Sequence, residues 1–166
     1  GSPYMPALQG KKVPIELSLA VHSDAGYNKD GKTTWGSLAI CTTNFNDGML
    51  NSGISRMTSK DLAKALLKNL VSDLRQQYGE FSERYLWDRN YSETRLPEVP
   101  AAIIETLSHQ SFPDMKIGQD PMGKFTIARS LYKTILRFVC TNHGLPYVVQ
   151  PLAPNNFSVE IDAQGT

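Results

Sequence analysis

Two residues in this chain stand where chemistry can be done. The stretch LSLAVHSDAG, Leu17 to Gly26, runs apolar and then breaks into His22, Ser23 and Asp24. The stretch VPAAIIETLSH, Val99 to His109, runs apolar and then meets Glu105. Open α/β sheets place their ligand-binding and catalytic groups at the carboxyl ends of strands. If these two strands lie parallel in one sheet, an imidazole and a carboxylate far apart in sequence reach the same edge. That pair has two uses: His22 holds a metal while Glu105 polarises its water, or the two exchange a proton. The bland reading stands beside them. A histidine at a strand end can be a half-buried residue with one hydrogen-bond partner, and such a glutamate can be a solvated end or a helix-cap acid. His109 is the nearby residue that can add a second nitrogen ligand, or else a loop histidine bonded to backbone.

Positioning these residues requires a particular set of elements. Ile15–Val21 reads as an interior strand, apolar on both faces. HSDAGYNKDGKTTWG is rich in turn formers and reads as a loop. Ser37–Thr43 reads as a second strand. From Thr58 to Gly79 the leucines Leu62, Leu66, Leu70 and Leu74 recur every four residues, with Ala63, Leu67 and Val71 beside them. That stripe predicts a long amphipathic helix, capped by Thr58 or Ser59 and closed by Gly79. Tyr85–Asp88 suits a short strand, Asn90–Glu98 is irregular, and Val99–Leu107 is the second apolar run, Pro100 suiting its beginning. A polar loop follows, then a helix over Pro121–Val139 with Ile127, Leu131, Ile135 and Phe138 on one side. Strands alternating with long helices predict an α/β fold, a three-layer αβα domain with a mostly parallel sheet.

These residues, in this order, resemble zinc-dependent N-acetylmuramoyl-L-alanine amidases. ELSLAVHSDAG is similar to the family stretch in which an acid opens a strand that ends His-Ala-Asn-Ala; here Glu16 opens it and His22-Ser23-Asp24-Ala25 closes it. TWGSLAI resembles the next strand, with Gly36 as its glycine. VPAAIIETLSHQSFPDM is similar to the family's run of Pro, four apolar residues, Glu and Thr or Ser, then Gly-Phe. GKFTIARSLYKTILRFV resembles the final helix. The likeness spans about Glu16 to Val139 and implies an amidase/phosphorylase-hydrolase-like fold. It implies a hydrolase that cuts the amide between the lactyl group of N-acetylmuramic acid and L-alanine in peptidoglycan. It also implies zinc, with His22 as one metal ligand and Glu105 as the catalytic acid–base residue. Asp24 stands where the family has Asn, and Leu107-Ser108-His109 replaces its Gly-Phe turn.

The family opens with a Gly-His-Gly motif carrying another ligand, followed by a glutamate, and neither is found before Ile15. The expectation is therefore an N-terminally truncated domain, Gly1-Ser2 being the remnant of a tag. With one strong ligand, the metal site is expected to be incomplete in this chain. Residues 1–142 form the amidase-like unit. Residues 143–166 read as a linker, whose PLAPNNFSVEID resembles the first strand of a fibronectin type III module, or as a last strand of the same domain. The parent is then a multidomain exported protein acting in the cell envelope or outside the cell.

Composition sets the remaining bounds. The chain has 166 residues, 40% hydrophobic and 20% charged, with a net charge of +1, so nothing global points to nucleic acid. No apolar run approaches the roughly 20 residues of a membrane span. Cys41 and Cys140 lack metal-ligand spacing and read as buried free thiols, a long-range disulfide being the alternative. Arg89 and Arg95 in WDRNYSETR can hold a substrate carboxylate, or pair at the surface with Asp88 and Glu93. A second functional reading keeps the fold as a non-catalytic glycan-binding or scaffold unit, with Tyr27, Trp35, Phe45, Trp87 and Tyr91 stacking on sugar. A zinc carboxypeptidase-like hydrolase ranks last, since its His-x-x-Glu opening is missing.

Overall fold

The computed structural model describes residues 15–151, together with two short strands before them. These two, β1 (Ala7–Leu8) and β2 (Lys11–Lys12), pair antiparallel within the segment expected to be loop. The main sheet contains β3 (Ser18–Asp24), β4 (Ser37–Cys41), β5 (Glu83–Asp88) and β6 (Ala101–Ser108). Its strand order is β3-β6-β4-β5. The outer pairs β3/β6 and β4/β5 are parallel and the central pair β6/β4 is antiparallel. The sheet is thus mostly parallel, with one reversal at its centre.

The leucine stripe does what its spacing predicts. Helix α1 (Met57–Tyr78) buries Leu62, Leu66, Leu70 and Leu74 completely against Ala39, Cys41, Ala102 and Ile104 of the sheet. Each leucine so withdrawn from water contributes about 2 kcal/mol. Gly79 ends the helix at φ +83, its N–H donating to the Arg75 carbonyl. The expected Thr58 or Ser59 cap is not used. The N-cap is Arg56, and Ser59 lies buried inside the helix, where its Oγ accepts the Ala101 N–H at 3.1 Å.

Three further α-helices follow among the described residues: α2 (Ser92–Arg95), α3 (Phe112–Gln119) and α4 (Pro121–Asn142). Two of them fall in segments expected to be irregular or loop. Asp120 caps α4 by accepting the Met122 N–H, and Ile127, Leu131 and Phe138 turn toward α1 and the core. Lys133 pairs with Asp73 of α1 at 2.9 Å, and Asn69 donates to Thr134 at 3.0 Å. The other face of the sheet carries a smaller cluster of Leu38, Ile40 and Ile103 with Ala20 and Trp87. Helix α2 lies against β6 and β4 on this face, giving helix, sheet and helix.

Both cysteines are buried and unbridged. None of the helices among the described residues is long and apolar enough to cross a membrane. Residues 143–151 run without regular structure. The expected fibronectin-like strand falls outside the described residues.

Candidate active site

Strand register makes the pair. His22 lies directly opposite Glu105 in the parallel β3/β6 ladder, and Leu38 of β4 flanks Glu105 on its other side. Side chains alternate along a strand. Leu19 belongs to the large core under α1 and Ala20 to the opposite cluster, so His22 projects from the face away from α1. Both residues were expected at strand ends. Instead β3 continues to Asp24 and β6 to Ser108, because a register shift after His22 lets polar residues remain in the ladder.

The His22 Nδ1 is 3.5 Å from Glu105 Oε1. The Glu105 side chain is 15% exposed, and its second oxygen, Oε2, is buried with no hydrogen-bond partner among the described residues. Burial raises the Glu105 pKa above the ordinary carboxylate value; His22 and Arg84 draw it down, and Asp24 adds to the rise. A carboxyl so placed releases and regains a proton closer to neutral pH, which is what general acid–base work requires.

Glu93, which sequence reasoning treated as a surface charge, is the second partner of His22. It accepts a hydrogen bond from Nε2 at 3.0 Å. The contact links residues 71 positions apart, through a four-residue helix that has no periodicity to announce it. Arg56, 1% exposed, anchors that helix by donating to the carbonyls of Arg95 at 3.0 Å and Thr94 at 3.5 Å. Thr94 also bonds Thr42 at 2.6 Å.

Asp24 closes the site two residues further along β3. It pairs with Arg84 of β5 and accepts the Trp35 indole N–H at 3.2 Å. Arg84 reaches this far because Ser37 and Ala39 of β4 face Glu83 and Leu86 of β5, which leaves both Arg84 and Tyr85 against Leu38. Its guanidinium lies 4.4 Å from the Trp35 ring centroid and 5.1 Å from that of Tyr85.

His109 turns elsewhere. Its Nδ1 is 3.1 Å from Ser23 Oγ, and its backbone N–H donates to the Asp24 carbonyl. Among the described residues, Arg89 and Arg95 form no ion pair with Asp88 or Glu93. Arg89 lies over Trp87, and Arg95 over Phe45 with a hydrogen bond to Asn90. Asp88 accepts from Thr43 instead.

The donor types suit zinc, but their number and direction do not complete a site. Glu93 and Glu105 approach opposite nitrogens of one ring, so the two carboxylates cannot share an ion held by a single one of them. Among the described residues no group of three histidines, cysteines or acids is placed to hold a metal.

No protein-family profile and no curated protein sequence matches the chain. Solved structures do. The N-acetylmuramoyl-L-alanine amidase of Clostridium difficile 630 superposes with a TM-score of 0.56 at 18% identity, over 75% of this chain and 57% of that one. Ami1, the N-acetylmuramyl-L-alanine amidase of Mycobacterium smegmatis, gives 0.57 at 16% identity, over 76% and 55%. The catalytic domain of the amidase CwlV from Bacillus (Paenibacillus) polymyxa var. colistinus gives 0.55 at 13%, over 75% and 57%. The chain thus spans a little over half the length of the amidases it matches. Its mixed sheet, with the helices packed on it, is the fold of the N-acetylmuramoyl-L-alanine amidases.

Proposed function

We propose that this chain carries the acid–base centre of a peptidoglycan amide hydrolase, which cuts the bond between the lactyl group of N-acetylmuramic acid and L-alanine. The observation behind this reading is the apposition of His22 and Glu105 on adjacent strands of an amidase fold. Glu105 takes a proton from water as the water oxygen bonds to the amide carbon. It then returns that proton to the leaving nitrogen as the C–N bond breaks, freeing the amino group of L-alanine. A carboxyl with a raised pKa serves both steps. In this reading His22 would contribute one ligand to a zinc ion, in a set that the described residues do not complete. Zinc, when bound, polarises a carbonyl and acidifies water. A cell-wall substrate places the activity in the envelope or outside the cell. Residues 1–142 form the catalytic unit, and 143–166 lead from it toward a following module.

The test incubates the full chain, with and without added zinc, with purified peptidoglycan and with muramyl dipeptide. Chemical labelling then counts new L-alanine amino termini. The reading expects them with the wild type and a loss of about 10²- to 10⁴-fold with Glu105→Gln. An absence of new termini, with muropeptide binding that persists in chelator, overturns it in favour of a glycan-binding unit.

A further inference from the structure

We propose that Glu93 is a positioning residue that decides which nitrogen of His22 works. It draws the single ring proton to Nε2 and leaves the Nδ1 lone pair facing Glu105. This rests on His22 and Glu105 being the working pair. A neutral imidazole has one N–H and one bare nitrogen, and the neighbour that bonds better selects the tautomer. Two carboxylates compete for that proton here. Glu93 Oε1 is 3.0 Å from Nε2, within ordinary hydrogen-bond range, whereas Glu105 Oε1 is 3.5 Å from Nδ1, beyond it. The shorter contact takes the proton.

The backbone behind Glu93 makes the selection firm. Its side chain is half-exposed, but α2 is pinned by the buried Arg56 guanidinium on the Thr94 and Arg95 carbonyls. The Thr42–Thr94 hydroxyl contact ties the same turn to the end of β4. A carboxylate on one ring nitrogen fixes the orientation and basicity of the other. Here that other nitrogen looks toward Glu105, whose Oε2 is buried and unpartnered among the described residues. His22 therefore meets a proton or an electrophile through Nδ1, on the side of Glu105.

The test reads the tautomer directly. Long-range proton–nitrogen correlation on the ¹⁵N-labelled full chain separates the ring nitrogens of three histidines. His22→Asn identifies the relevant set. The wild type is expected to carry its proton on Nε2. Glu93→Ala moves it to Nδ1, toward Glu105, and Glu93→Gln, whose side-chain carbonyl still accepts, restores Nε2. A wild-type proton on Nδ1, or the same tautomer in wild type and Glu93→Ala, overturns the proposal. The readout needs no substrate, so its failure is separate from a failure to cleave peptidoglycan. Where cleavage is measured, Glu93→Ala lowers kcat about 10- to 100-fold with KM unchanged, and Glu93→Gln recovers most of it.

Discussion

Asp114 accepts the backbone N–H of Gly36 at 3.0 Å, and through that bond the start of α3 holds the start of β4. The same carboxylate, fully buried, accepts the Trp35 and Ser108 N–H groups at 2.8 Å and the Ser111 hydroxyl at 3.1 Å. All four partners are donors, so only a carboxylate satisfies them together. Asp114→Ala should cost about 3 kcal/mol by stranding buried donors. Asp114→Asn should cost about 2 kcal/mol, since its amide nitrogen meets N–H groups head on. Urea unfolding of both variants checks this; an Asn variant as stable as the wild type would refute the four-donor account.

Burying the Glu105 carboxyl costs the fold stability. Its folded pKa lies above the unfolded value of about 4.5 because burial disfavours the charged form. The sign follows from linkage: stability is full below the unfolded pKa and is lost as pH rises through the folded one. Glu105→Gln should therefore melt higher than the wild type at pH 8, with the gap closing toward pH 4. Melting curves across that range measure it, and a gap that widens in acid contradicts the burial argument.

Gly36 sits at φ +87, and a Cβ built there would lie 2.0 Å from the Ser82 carbonyl oxygen. Neither the backbone nor that oxygen can yield cheaply, so Gly36→Ala should cost about 3 kcal/mol or more. Gly31, at φ +63 with open space around it, is the control. Gly31→Ala should cost only the left-handed backbone penalty, about 1 kcal/mol. Equal losses in the two variants would show that the Ser82 contact does not matter.

Burial, with Asp88 nearby, pushes the Cys41 thiol up to about 11. From its ordinary value of 9.0 that leaves about a hundredfold less thiolate at pH 8. A thiol reagent should leave Cys41 untouched in the native protein and label both cysteines in denaturant. Rapid native labelling at position 41 would mean that the core beneath α1 opens.

The pairing of His22 and Glu105 was legible in the sequence because each follows an apolar run, which parallel strands bring to one sheet edge. The family resemblance also sets both residues in one site. The leucine stripe of α1 was equally plain. What escaped has physical causes. Asp24 and Ser108 look like loop residues, yet they pair in the ladder beyond a register shift at Ser23. Helix α3 opens Phe112-Pro113 and contains Gly118, so its composition reads as loop. Glu93 and Asp114 act through partners remote in sequence, which no local pattern encodes. The reversal between β6 and β4 is a matter of topology, and side-chain alternation is blind to strand direction.

The guanidinium stacked on Trp35 has an optical consequence. Both tryptophans of the chain lie beneath an arginine, Trp35 under Arg84 and Trp87 under Arg89. A cation held over an indole interacts with its ring electrons, so intrinsic fluorescence is expected to report on the rim around the site. A molecule that lifts Arg84 away from Asp24 would change the emission of Trp35 with no label attached.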